Sequence, residues 1–256
     1  MPRATYVAVL TIGVFYTVTT YLMVEGQGAA GLQEYLGGLQ PDPTAFLFAL
    51  GSTYIGAALT TVMSLLFISS VFAALLAFHN AVARYLYALG REGLVPARLG
   101  RTHTKHLSPH TGSLSQSILA FVIVLIFVIT RQDPVLALFT WLTQLGTLAI
   151  IVLMALASFA VVAFFARYRD LDRNVARTTV SPIVGGVAMT AVAIYAASQF
   201  GLLIGNPESP LRWILPALIV VAAIAGIIAA FTLKSRSPEL YTQMGRHRDM
   251  ELTPGL

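Results

Sequence analysis

The sequence predicts an all-α integral membrane protein with six transmembrane helices. Three observations predict it. The chain is 57% hydrophobic and only 11% charged, whereas a soluble domain carries about 25% charged residues. The mean hydropathy of +0.77 requires several apolar stretches long enough to span a bilayer. Finally, Lys and Arg fall in alternate connections, the pattern that sets membrane orientation.

The first span is placed at about residues 4–24, an uncharged run of 21 residues. It is long enough to cross about 30 Å of hydrocarbon and too long for a signal-peptide core of about 7–15 residues. Its Thr11, Thr17, Thr19 and Thr20 can bond back to backbone carbonyls or line a pathway. Residues 25–42 form a loop with Glu25, Glu34 and Asp42 and no Lys or Arg. Residues 43–83 are then free of charge for 41 residues. A single helix of that length would measure about 60 Å, twice the hydrocarbon thickness. The stretch is therefore read as a short interfacial helix over 44–50, ahead of Gly51, followed by a second span over 57–83.

The third span covers 112–130. Arg131, Gln132, Asp133 and Pro134 make a tight turn, since proline restricts the residue before it. The fourth span lies within 135–165, the fifth within 180–204, and the sixth within 213–233. A Pro-rich turn separates the last two, and Trp213 opens the sixth span with a ring suited to the interface. Residues 1–233 thus form one membrane domain, and 234–256 a polar tail expected to be cytoplasmic and unstructured.

Orientation follows from the 16 Lys and Arg residues. With the N-terminus cytoplasmic, fourteen fall inside, leaving only Arg131 and Arg212 outside. Splitting 43–83 into two spans would export the five basic residues of 84–105, so six spans with both termini in the cytoplasm is the reading. The net charge of +5 is accounted for by topology and anionic lipid, and no nucleic-acid partner is expected.

The candidate chemistry is neutral. No Asp, Glu, Lys or Arg lies in the middle of a span, which weighs against a proton relay or catalytic carboxylate. There is no cysteine, hence no disulfide or thiolate metal site. No phosphate loop, dinucleotide fingerprint or Ser-His-Asp set can be assembled, so neither an enzyme nor a cofactor is expected. His103, His106 and His110 lack zinc-type spacing and sit among Thr, Lys, Ser and Pro; they read as a solvated loop. Gln144, between Thr143 and Thr147, lies well inside the fourth span. An amide there needs a partner, so it serves as helix–helix glue or lines a pathway.

The most informative stretch is 69–96. Ser70, Ala73, Ala74, Ala77, Asn80, Ala81 and Arg84 recur at spacings of three and four and share one helix face. That face is small and polar, whereas Phe72, Leu75, Leu76, Phe78 and Val82 form the opposite one. Small residues allow close helix approach, and polar residues in a bilayer face protein or a water-filled cavity. Arg84 either snorkels to the interface or joins an inner gate.

Residues 80–96 resemble the segment that ends the eighth helix of amino acid permeases of the amino acid–polyamine–organocation superfamily. The pattern is Asn80, then Arg84, aromatic Tyr85, the Arg91-Glu92-Gly93 triplet and Pro96. Pro2-Arg3-Ala4 also looks like the junction after that family's sixth helix. The resemblance implies helices seven to twelve, the second half of a leucine-transporter-type inverted-repeat fold, and a structured lid over the outer vestibule after the first span.

It further implies that Ser69 and Ser70 either bond their own backbone or complete a sodium site with a helix of the first half. In that fold, broken helices grip the substrate near the bilayer midplane, and none of the six spans has a Gly-rich break of that kind. The chain is therefore expected to be the C-terminal portion of a permease. It would handle an amino acid or amine substrate only together with a first half, its other partner being the lipid bilayer. The alternative is a non-transporting scaffold or partner subunit from a truncated permease gene.

Overall fold

The computed structural model describes residues 2–32, 34–35, 45–103, 105–106 and 108–243. Asp42 and Thr44 lie outside the described residues, as does the tail beyond 243. Among the described residues there is no strand, and six helices are long and apolar enough to cross a membrane. The protein is an all-α membrane protein. Its helical contacts divide it into two compact units, Met1–His79 and Asn80–Leu256, with the boundary inside one continuous helix.

The first unit contains helix α1 (Pro2–Gln27), helix α2 (Ala45–Tyr54) and the first turns of helix α3 (Ala57–Arg91). Within α1, the Thr17 hydroxyl donates to the Gly13 carbonyl at 2.8 Å, which satisfies it inside the helix. Helix α2 falls on the short helix expected over 44–50 and extends it to Tyr54. Its Tyr54 hydroxyl donates to the Gly26 carbonyl at 2.7 Å, tying α2 to the end of α1. Gly51 is buried because a side chain there would meet Thr60 and Met63 of α3. Phe48 meets Phe67 edge-on, with ring centroids 5.8 Å apart.

Helix α3 is longer than the span over 57–83. Its 35 residues measure about 52 Å, against about 30 Å of hydrocarbon. Arg84, placed on the small helix face by its spacing, and Arg91 therefore sit on the last two turns of the helix. Leu86, Ala88 and Leu89, good helix formers, carry it on, and Gly93, with φ of 77°, ends it.

The second unit holds the remaining helices. Helix α4 is His110–Ile129, α5 is Thr140–Arg167, α6 is Ser181–Ser198, α7 is Phe200–Leu203, α8 is Leu211–Arg236 and α9 is Pro238–Gln243. The turn between α4 and α5 forms as its sequence dictates. Arg131 takes the left-handed conformation, and Asp133 Oδ1 accepts the Val135 and Leu136 N–H groups at 2.8 and 2.7 Å. That cap opens a π-helical stretch, Pro134–Phe139, which leads into α5.

Helices α5 and α6 run antiparallel. Leu148 packs with Ala193 and Phe200 at one end of the pair, Phe159 lies against Gly186 in the middle, and Val162 and Phe165 meet the region of Thr178 at the other. The core gathers at the first of these ends: Leu148, Ala193, Phe200, Ile204 and Leu215 are buried, with Trp141 and Leu145 packed against them. Phe200 is fully buried because the helical run over 180–204 breaks at Gln199. The short α7 then turns the chain back, closed by Gly205 in the left-handed region.

One expectation is corrected. The chain after Lys234 is not unstructured over its described length: α8 continues to Arg236, and α9 follows. Pro238 is compatible with a first helical turn. Leu240 gives α9 an apolar anchor, and both Leu240 and Leu233 lie beside the Gly93 turn.

Candidate functional site

Helix α3 carries four of the five residues singled out from sequence: Ser69, Ser70, Asn80 and Arg84. Its rotation is fixed by its last turns. Ala83 is buried at 3% exposure, and a Cβ on Gly112 of α4 would come within 2.6 Å of the Ala83 carbonyl oxygen. Two turns on, a Cβ on Gly90 would overlap the Gly100 nitrogen and lie 2.9 Å from the Leu99 carbonyl carbon. Two backbone-to-backbone contacts therefore clamp one edge of α3 against α4 and against the 3-10 turn Ala97–Gly100. Within α3 itself, the Tyr87 hydroxyl accepts from Arg91 Nη1 at 3.2 Å.

The small face lies roughly a third of a turn round the helix from that clamped edge. Ser70, Ala73, Ala74, Ala77, Asn80, Ala81 and Arg84 are all exposed. Phe72, Leu75, Leu76 and Phe78 on the opposite face are exposed too. Opposite exposures have different meanings in a bilayer. A Leu or Phe face is at home in lipid, whereas an amide without a partner in hydrocarbon costs several kcal/mol on the order of an unmade hydrogen bond.

The hydrogen bonds separate the serines. Ser69 Oγ donates to the Leu66 carbonyl at 2.9 Å, the ordinary fate of a hydroxyl on an apolar helix. Ser70, Asn80 and Arg84 have no side-chain hydrogen bond among the described residues. Gln144 is half-buried on α5, beside Leu145 and Leu148 of the core. No described residue supplies its hydrogen bond, and none joins it to Asn80 or Arg84. Thr147 nearby bonds its own helix, donating to the Thr143 carbonyl at 2.8 Å.

The histidines are closer together than their spacing suggests. The His103 ring lies 4.9 Å from His106 and 5.5 Å from His110. His103 Nδ1 accepts the backbone N–H groups of Lys105 and His106 at 3.2 and 3.3 Å.

Sequence reasoning missed the residues that set the face. Gly90, Gly100 and Gly112 are invisible to a periodicity argument because what matters is which backbone each one meets. Ala83 and Gly112 are both small and sit near the same end of consecutive spans, a pattern that favours close helix contact.

In comparisons with known proteins, a family model described as Amino acid permease matches residues 1–231. No curated protein and no solved structure matches the chain. That match takes in all six long apolar helices but for the last residues of α8, and it points to transport rather than catalysis. The chain belongs to the amino acid permease family.

Proposed function

We propose that the chain is the C-terminal portion of a secondary active permease for amino acids or amines. Its six spans would correspond to helices seven to twelve of a leucine-transporter-type fold in the plasma membrane. The small face of α3 would then be the surface that packs against helices of a first half, supplied by a preceding sequence or a separate polypeptide. Asn80 and Arg84 would form part of its inner gate.

One observation carries this reading. Among the described residues the face holding Ser70, Asn80 and Arg84 is exposed, while the neighbouring edge of the same helix is clamped at Ala83 and Gly90. A helix held in fixed rotation with an unpaired amide on its free side is built to receive a protein partner. Gln144 extends the same need to α5. Of the two serines, Ser70 is the better candidate for the pathway, since Ser69 is bonded to Leu66. The fourteen-to-two bias of Lys and Arg supports cytoplasmic termini, which puts Arg84 at the cytoplasmic end of α3, where an inner gate would lie.

The test is cysteine cross-linking in a cysteine-free background, which this chain already provides. Cysteine at Ala77 or Ala81, on the small face, should cross-link to an engineered first half. Cysteine at Leu75, on the apolar face, should not. Equal cross-linking from both faces would refute the assignment. Efficient cross-linking without any uptake by the assembled pair would favour the non-transporting scaffold.

A further inference from the structure

A second polar site lies where the connection between α5 and α6 meets the ends of both helices. A cavity of about 500 Å³ there is lined by Arg169, Asp170, Asp172 and Arg173. One turn down α5 the lining becomes apolar, at Phe165 and Val162. Both helices are apolar enough to cross a bilayer, so this connection lies at the level of the lipid headgroups.

The charges in the lining are two guanidinium groups and two carboxylates. The Arg173 and Asp170 side chains approach to 3.8 Å but are 87% and 98% exposed, and so exposed a pair opens at little cost. Asp172 spends one oxygen on the Asn174 N–H at 2.9 Å and keeps the other. The N–H groups of Ala176 and Arg177 are already taken by Asn174 Oδ1 at 3.1 and 3.4 Å. The cationic groups in the lining that can hold an anion are the two arginines, next to two carboxylates. A simple phosphate meets repulsion there, and a simple cation meets the guanidinium groups. A ligand that carries a phosphate, a hydrogen-bonding ammonium and a hydrocarbon chain matches all three parts of the lining.

We propose that this cavity seats the headgroup of a phosphatidylethanolamine-type phospholipid. The phosphate lies between Arg169 and Arg173, which suit phosphate through paired N–H donors. The primary ammonium donates to Asp170 and Asp172, and an acyl chain runs along Phe165 and Val162. A choline headgroup has no N–H to donate, and a glycerol headgroup leaves the carboxylates facing an anion. Basic pockets between spans hold anionic headgroups; here two carboxylates beside the arginines add a place for an ammonium.

The test uses the purified full chain in detergent, with native mass spectrometry of retained lipid after adding dioleoyl phosphatidyl-ethanolamine, -choline or -glycerol. The expected result is several-fold greater retention of the ethanolamine lipid. Arg169→Gln with Arg173→Gln should abolish that preference, and Asp170→Asn with Asp172→Asn should shift it to the glycerol lipid. None of the four side chains is buried, so a thermal melt should find both variants folded. Equal retention of all three lipids by the native chain would overturn the proposal, as would an ethanolamine preference that survives loss of both arginines. Free phosphoethanolamine that competes as well as the lipid would assign the cavity to a soluble ligand and overturn the lipid reading.

Discussion

Replacing Gly112 by alanine would place a methyl carbon 2.6 Å from the Ala83 carbonyl oxygen, where ordinary contacts begin at 3.4 Å. The oxygen belongs to helix backbone and has no rotamer to give way, so α3 and α4 must separate by most of the difference. Overpacking of this kind costs about 1–3 kcal/mol. For a chain of this size, about 2 kcal/mol corresponds to a melting shift of roughly 4–8 °C. The assay is a thermal melt of purified protein in detergent, with Gly226→Ala as the matched control. Gly226 lies inside α8 with nothing within 4 Å of its would-be Cβ, so alanine there should be neutral or stabilising by about 0.5–1 kcal/mol. A Gly112→Ala melt equal to that of the native chain would refute the claim that backbone contact at Ala83 fixes the rotation of α3.

Three further outcomes are expected. Asn80→Leu should reduce assembly with a first half more than Phe78→Leu, because Phe78 is 63% exposed on the opposite, lipid-compatible face; equal assembly of the two variants, measured by co-purification, would remove Asn80 from the interface. Single cysteines at Thr102 and Asn206, both exposed, should react with a membrane-impermeant reagent from opposite sides, Asn206 from outside; labelling from one side would break the proposed orientation. Asp133→Ala should cost about 1 kcal/mol by removing the cap on Val135 and Leu136, seen as a lower melting temperature and faster exchange of those two amides; unchanged exchange would show that the cap contributes nothing.

The membrane fold was legible because apolar length and charge placement are local properties of the chain. The six apolar stretches coincide with six helices, and the turn at Arg131 to Pro134 forms where its residues require. Where α3 ends was less legible. Charge bounds the predicted span at residue 83, yet α3 continues past Arg84 to Arg91. The tail shows the opposite error: polar composition masked Leu240, which anchors α9.

Within the candidate site, the small face of α3 could be read from spacing alone, and so could the backbone bonding open to Ser69. Its clamp could not. Ala83 with Gly112, and Gly90 with Gly100, are pairings made in three dimensions between residues that carry no pattern of their own. The cavity beside Arg169 and Asp172 was hidden for a related reason. Its charges look like any solvated loop until α5 and α6 pack and give them an apolar neighbour in Phe165.

The most direct test of the account is uptake of radiolabelled amino acids into proteoliposomes holding the purified chain, with and without a co-expressed six-span first half of an amino acid permease. The family's central substrate site is built from helices of both repeats around the bilayer midplane, and among the described residues the small face of α3 is exposed. The account predicts no saturable uptake by the chain alone. It predicts saturable uptake, competed by unlabelled substrate and lowered by Asn80→Leu, once the first half is present. Saturable, competed uptake by the chain alone would contradict it.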